Sequence, residues 1–128
     1  MTDQEETSED DDRDEISDWF WDILQRAESR GDKLREILMG LERSQVTQFL
    51  EEYDAAAVEL MEPPHTNYLD ALSRESEDEI DYLARWVVSQ GKEHYYQVLE
   101  NPRKMPRNRR GRENPFCGVA VDVEFEKE

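Results

Sequence analysis

Apolar residues recur at helical spacing through the first half of the chain. A first helix is predicted from near Glu15, because its apolar positions lie three and four residues apart and share one face. Gly31 is predicted to end this helix, and Asp32 to cap a second one. Ser44 is predicted to open a third helix, which the Pro-Pro pair at 63–64 stops. The three apolar stripes are Ile16, Trp19, Phe20, Ile23, Leu24 and Ala27, then Leu34, Ile37, Leu38 and Leu41, then Val46, Phe49, Leu50, Tyr53, Ala57 and Leu60.

The same periodicity continues over residues 65–102. A short fourth helix is predicted around Leu69, followed by a fifth that Ser76 caps, with Glu79 completing a capping-box pattern. Gly91 separates the fifth helix from a sixth, which ends at Asn101. The predicted fold class is therefore all-α, a compact bundle of about six helices over residues 15–102 with no parallel sheet. The residues expected to meet in one core are Trp19, Phe20, Phe49, Tyr53, Leu83 and Val87.

The segments on either side of this bundle differ from it in composition. Residues 1–14 are mostly acidic and are expected to form a disordered tail. Residues 103–112, named the basic segment below, hold six basic residues and no acidic one, so 103–114 is predicted to be a basic loop. Residues 116–125 suit either a strand or a helix. We favour a helix, with 115–128 packing on the domain, because a single strand in a helical chain would have no pairing partner.

The charge of the chain restricts its partners. It has 33 Asp and Glu residues against 16 Lys and Arg, for a net charge of −17. Such a charge disfavours nucleic acid or an anionic membrane as the partner of the whole body. Three interpretations stay open: solubility or a salty cytoplasm, a basic protein partner, and mimicry of nucleic-acid phosphates. For the basic segment we favour contact with the protein's own acidic surface over nucleic-acid binding.

Three features predict a cytoplasmic protein with no membrane partner. Cys117 is the single cysteine, so no internal disulfide can form and a reducing compartment is indicated. Met1 leads directly into acidic residues, without the basic and apolar regions of a secretory signal. The longest apolar run is too short to span a bilayer.

The stretch 76–91, Ser-Glu-Asp-Glu-Ile-Asp-Tyr-Leu-Ala-Arg-Trp-Val-Val-Ser-Gln-Gly, carries a family resemblance. It resembles the central pattern of a bacterial family, domain of unknown function 4240, which reads approximately Ser-Asp-Asp-Gly-Phe-x-x-Phe-Arg-x-Trp-Leu-Ile-x-x-Gly. Phe20-Trp21 is similar to the family's opening segment, and Phe49 and Tyr53-Asp54 fall where the family has an aromatic-rich helix. The residues that match directly are Ser76, Asp78, Trp86 and Gly91, and those that match by type are Ile80, Leu83, Val87 and Val88.

The chain departs from that family pattern at three places. Ala84 occupies the motif's arginine position, with Arg85 one residue later, and Glu79 replaces a glycine. The Gly-Gly turn before the serine is absent from residues 72–75. A polar site built on that turn and arginine would therefore be altered or lost here. The resemblance covers residues 15–102 and implies an all-helical fold, but it brings no established activity.

No residue pattern indicates catalytic, cofactor or metal chemistry. His65 and His94 lie outside zinc-ligand spacings and are expected at partly exposed helix ends. Cys117 has no histidine nearby and is expected to be a small buried residue. The acidic run 77–79 is explained as a charge cluster at a helix N-terminus. We therefore expect no catalytic residue, no cofactor and no metal.

A binding surface is the remaining possibility, and its candidate residues are Trp21, Asp78, Arg85, Trp86 and Tyr96. Trp21 lies beside the apolar stripe of its helix, so it either packs on the flank of the core or is half of an aromatic anchor at an interface. Tyr96 lies similarly beside the core-facing Tyr95. These features favour a non-catalytic interaction protein, of the immunity or inhibitor type, that binds a basic protein. The alternatives are an enzyme with a polar site near Asp78 and Trp86, and a component of a multiprotein assembly.

Overall fold

The computed structural model describes residues 16–127, in which seven α-helices and two 3₁₀ turns occur and no strand does. The predicted all-α class is confirmed, and 116–125 is largely helical. The predicted acidic tail, residues 1–14, lies outside the described residues. The helices are α1 (Asp18–Ala27), α2 (Gly31–Met39), α3 (Arg43–Val58), α4 (Ala71–Arg74), α5 (Glu77–Ser89), α6 (Lys92–Glu100) and α7 (Val119–Glu126), with 3₁₀ turns at His65–Tyr68 and Pro102–Lys104.

Helix α3 lies at the centre of the bundle and packs against α1, α5 and α7. An aromatic group joins α1 to α3, because the ring of Phe20 lies 4.9 Å from that of Phe49 and 5.7 Å from that of Tyr53. Leu83 and Val87 of α5 are buried in the same core. Five of the six residues expected in one core are therefore there.

The sixth expected core residue, Trp19, is only half-buried, whereas Trp21 is 5% exposed and belongs to the core. The reason is that α1 is covered on two sides. Its first side faces α2 and α3, and its second faces α6, where the Trp21 ring lies 5.3 Å from that of Tyr95. The face that α1 buries is therefore wider than the single apolar stripe from which the core was predicted.

The ends of α1 differ from the prediction. The helix begins at Asp18 rather than near Glu15, because the Ser17 hydroxyl accepts a hydrogen bond from the Phe20 N–H at 3.3 Å and caps it. It ends at Ala27, where the backbone turns through residues 28–29 at positive φ. Gly31 is therefore the first residue of α2 and not the end of α1.

Two further helix starts also differ by a residue or two. Asp32 lies in the first turn of α2 rather than at its N-cap, which Arg30 occupies. Helix α3 begins at Arg43, one residue before Ser44, because Glu42 and Gln45 form a reciprocal capping box.

The predicted fourth helix is a 3₁₀ turn followed by the single turn of α4, and Leu72 there is 86% exposed. Helix α5 begins as predicted, since the Ser76 hydroxyl accepts from the Glu79 N–H at 3.2 Å. The reciprocal bond of a capping box is replaced, because the Ser76 N–H donates to the Ser73 carbonyl and Glu79 accepts from the Ser73 hydroxyl at 3.3 Å. The Glu79 side chain therefore bonds to Ser73, which lies before the helix, and not to the Ser76 N–H.

The chain after α6 returns across the bundle before forming α7. Met105 and Phe116 bury their side chains on the way, at 3% and 5% exposure. Helix α7 then packs against α2 and α3 through Ala120 and Val123. The C-terminal segment is therefore part of the bundle.

Candidate functional site

A groove of about 950 Å³ runs between α1 and α6 and is named the α1–α6 groove. Trp21 and Tyr96 lie along it, with ring centroids 6.1 Å apart. Tyr95 supports both rings from the core, 5.3 Å from Trp21 and 5.0 Å from Tyr96, and its hydroxyl donates to the Ala56 carbonyl at 2.9 Å. The aromatic side of the groove is therefore anchored to the centre of the fold.

Acidic side chains surround these rings. One described cation, Lys92, also lines the groove, and its ammonium lies 3.0 Å from an Asp18 carboxylate oxygen. Glu28 pairs with Lys33, and this hydrogen bond lowers the pKa of the Glu28 carboxyl, which therefore stays ionised well below neutral pH. The groove thus presents the half-buried Tyr96 ring among five carboxylates, three of which form ion pairs: Asp18 with Lys92, Asp22 with Arg26 and Glu28 with Lys33. Its carboxylates belong to Asp18, Asp22, Glu28, Glu93 and Glu100.

Two of the five predicted binding residues, Trp21 and Tyr96, thus line this groove. Trp21 is 5% exposed and packs on the flank of the core, as one of its two interpretations has it, whereas Tyr96 is half-buried. The other three lie along α5. Asp78 is exposed, and its Cα is separated from that of Trp86 by a helical rise of about 12 Å. The pair therefore does not form one compact polar site. Trp86 is half-buried against the edge of His94, with ring centroids 5.9 Å apart.

Arg85 is part of an ion-pair network rather than an open binding group. Its guanidinium donates to Asp54 at 2.6 Å and to Asp81 at 3.0 Å. Partial burial acts to lower the pKa of Arg85, but the hydrogen bonds to the two carboxylates outweigh it, so the pKa is raised. The Arg85 guanidinium is therefore charged at neutral pH.

The basic segment folds onto acidic and aromatic side chains of the same protein. Arg107 pairs with Asp70 at 3.1 Å, and the Asp70 N–H donates to the Arg107 carbonyl at 2.8 Å. The hydrogen bonds from Asn108 and Arg107 lower the pKa of Asp70. Arg112 lies over the Trp86 ring, with its guanidinium carbon 5.4 Å from the centroid. These contacts agree with the favoured interpretation, in which the segment lies on the protein's own acidic surface.

A second, smaller cavity of about 120 Å³ lies where the C-terminal segment crosses α3 and α5. The Tyr53 hydroxyl donates to the Arg85 carbonyl at 3.0 Å and accepts from the Asn114 amide at 3.3 Å. Burial raises the pKa of Tyr53, so its hydroxyl is a hydrogen-bond donor and not a base. Cys117 lines this cavity but is exposed, contrary to the expectation of a buried thiol, because it lies in the turn before α7.

The two histidines have different surroundings. His65 is buried, with Nε2 3.0 Å from the Val98 carbonyl oxygen, so the expectation of a partly exposed residue is wrong. The hydrogen bond to the carbonyl compensates for the burial. His94 is partly exposed as expected, and burial, with a smaller effect of Lys104, lowers its pKa. Over residues 16–127 no group of three His, Cys, Asp or Glu side chains could hold a metal ion.

The sequence predicts the rings of the groove but not its carboxylates, above all Glu93 and Glu100. With 33 acidic residues in the chain, no single one stands out. The available indication was spacing, because residues 93 and 100 lie three before and four after Tyr96 and must share its helix face.

Among the described helices, none is long and apolar enough to cross a bilayer.

The fold and the groove define a small all-helical protein with an acidic, aromatic-lined groove. The sequence profile of one family, described as protein of unknown function (DUF4240), matches residues 14–126, and the chain belongs to that family. The match extends the resemblance seen over 15–102 through the basic segment and α7. No curated protein and no solved structure matches the chain significantly.

Proposed function

We propose that this is a non-catalytic interaction protein that binds a basic protein through the α1–α6 groove, as an immunity-type or inhibitor protein would. The observation that carries the proposal is the combination of the half-buried Tyr96 ring, which packs beside the nearly buried Trp21, with the carboxylates that line the same groove. Aromatic side chains are preferred anchors of protein interfaces, and carboxylates select a partner of opposite charge.

The two kinds of residue have separate roles in this proposal. The net charge of −17 attracts a basic partner over a distance and raises the rate of encounter. Tyr96, which is half-buried, then supplies contact area that water leaves when the complex forms. Charge therefore sets the rate of association, and the aromatic contact sets the rate of dissociation.

The place of binding can be tested by photo-cross-linking. A photoreactive residue replaces Gln97, which is exposed and lines the groove, or Phe125, which is 73% exposed on α7 and lies outside it. We expect a basic protein to be cross-linked from position 97 and not from position 125. Cross-linking from 125 alone would instead favour the assembly alternative, and an acidic partner at 97 would contradict the proposal.

Association of the partner that cross-linking identifies is expected to slow severalfold when salt is raised from low to physiological concentration. Screening then shortens the reach of the charges to about 8 Å, while dissociation changes less. Stopped-flow kinetics measures both rates. The variant Glu93→Gln/Glu100→Gln should slow association more than the control Glu36→Gln/Glu51→Gln, which removes two exposed charges outside the groove. An association rate that is independent of salt would contradict the electrostatic part of the proposal.

A further inference from the structure

One arginine of the basic segment shows how this protein holds a guanidinium group. The guanidinium carbon of Arg109 lies 4.0 Å from the centroid of the Tyr82 ring, which is a close stacking distance. One of its nitrogens lies 3.3 Å from a Glu79 carboxylate oxygen. Glu79 and Tyr82 are three residues apart on α5, so helix geometry places the carboxylate beside the ring. The pair thus forms a small receptor for one arginine side chain.

The same pair occurs on α6, where it faces the groove. Glu93 precedes Tyr96 by three residues, and both line the α1–α6 groove. Tyr96 is half-buried against Tyr95, which fixes its ring, and Glu93 is exposed. No basic residue of the described chain forms an ion pair with Glu93, whereas Arg109 pairs with Glu79. A pair of the same composition and spacing therefore lines the groove.

A third pair with this spacing, Asp18 and Trp21 on α1, is less suited to the role. Asp18 already pairs with Lys92 at 3.0 Å, and Trp21 is 5% exposed, so its ring faces are covered by neighbours. Of the two pairs that line the groove, Glu93 and Tyr96 are the accessible one.

We propose that the groove binds an arginine side chain of the partner, with the guanidinium stacked on Tyr96 and paired with Glu93. This inference rests on the proposed function and adds to it the residue that is recognised. Arginine suits the pair better than lysine does, because its planar group stacks on a ring while donating hydrogen bonds from its edge. An ammonium is a compact, strongly hydrated charge that gains less from stacking.

Two peptides of identical length test the choice of residue, one with three arginines alternating with glycines and one with three lysines. Binding to the full chain is measured by calorimetry at low salt, and NMR of the tyrosine rings locates the site. We expect the arginine peptide to bind about three- to tenfold more tightly than the lysine peptide and to shift the Tyr96 resonances. The Tyr96→Leu variant should bind both peptides equally, and Glu93→Gln should weaken the arginine peptide severalfold.

Matched controls separate this effect from general charge and from loss of structure. Tyr68→Leu removes a tyrosine that is 39% exposed outside the groove, and Glu51→Gln removes an exposed carboxylate outside it. Both should leave the preference for arginine unchanged. The Glu93→Gln change is at an exposed position and keeps the fold intact, which circular dichroism verifies.

Equal affinity for the two peptides, no binding of either peptide, or an arginine preference that survives Tyr96→Leu would each overturn the inference. The proposed function is judged separately, by cross-linking and by the salt dependence of partner association. Salt-dependent binding of a basic partner with no preference for arginine would reject the guanidinium site and leave the basic-partner proposal standing. An acidic partner would reject the proposed function.

Discussion

Replacing Phe49 by alanine is expected to lower the free energy of unfolding by about 3–5 kcal/mol, the range for truncating a buried phenylalanine. Phe49 has no exposed surface and lies on α3, the helix that contacts α1, α5 and α7. Its ring lies 4.9 Å from that of Phe20 and 6.1 Å from that of Tyr53. The variant would leave a cavity where these helices meet, and so loses ring contacts as well as buried apolar area.

Urea unfolding followed by circular dichroism measures this change, with Leu72→Ala as the matched control. Leu72 is 86% exposed, so its truncation should change the free energy of unfolding by less than about 0.5 kcal/mol. A loss below about 1 kcal/mol for Phe49→Ala, or an equal loss for both variants, would show that the aromatic group of α1 and α3 is not the core.

Helical periodicity was sufficient to predict the class of fold, because each long helix buries a stripe against the same centre. It was insufficient for α1, where Trp21 is buried and Trp19 is half-buried. The position of Trp21 depends on its contact with Tyr95 of α6, which is far away along the chain. A pattern within one helix contains no information about a neighbour that covers its second side.

The ends of the helices show a similar division between local and distant causes. Ser76 caps α5 as its sequence context predicts, since the bond is to an N–H three residues later. Gly31 was misassigned as the end of α1, because glycine is typical of that position. The turn instead uses residues 28–29 at positive φ, and Gly31 begins α2 beside the C-terminal segment.

Only the aromatic residues of the α1–α6 groove could be predicted from the sequence. Trp21 and Tyr96 are conspicuous because aromatic residues beside an apolar stripe are few. Glu93 is one of 33 acidic residues, and it differs from the others in that it lies one turn before Tyr96 and lines the same groove. The spacing of residues 93 and 96 is readable in the sequence. The same spacing at residues 79 and 82 gains its meaning from the structure, in which Arg109 contacts both side chains.

Gly31→Ala is expected to destabilise the protein by about 1–3 kcal/mol, the usual cost of overpacking a close contact. A β-carbon at position 31 would lie 2.6 Å from the Pro115 carbonyl oxygen, which is a backbone atom and cannot move without shifting the segment that leads into α7. This loss opposes the gain that alanine normally gives in a helix. Gly40→Ala is the matched control: its nearest contact would be 3.5 Å and its φ is −82°, so it should be neutral or stabilise by about 0.4–1 kcal/mol. Thermal unfolding of both variants decides the matter, because a Gly31→Ala protein as stable as Gly40→Ala would mean that the C-terminal segment does not pack closely on α2.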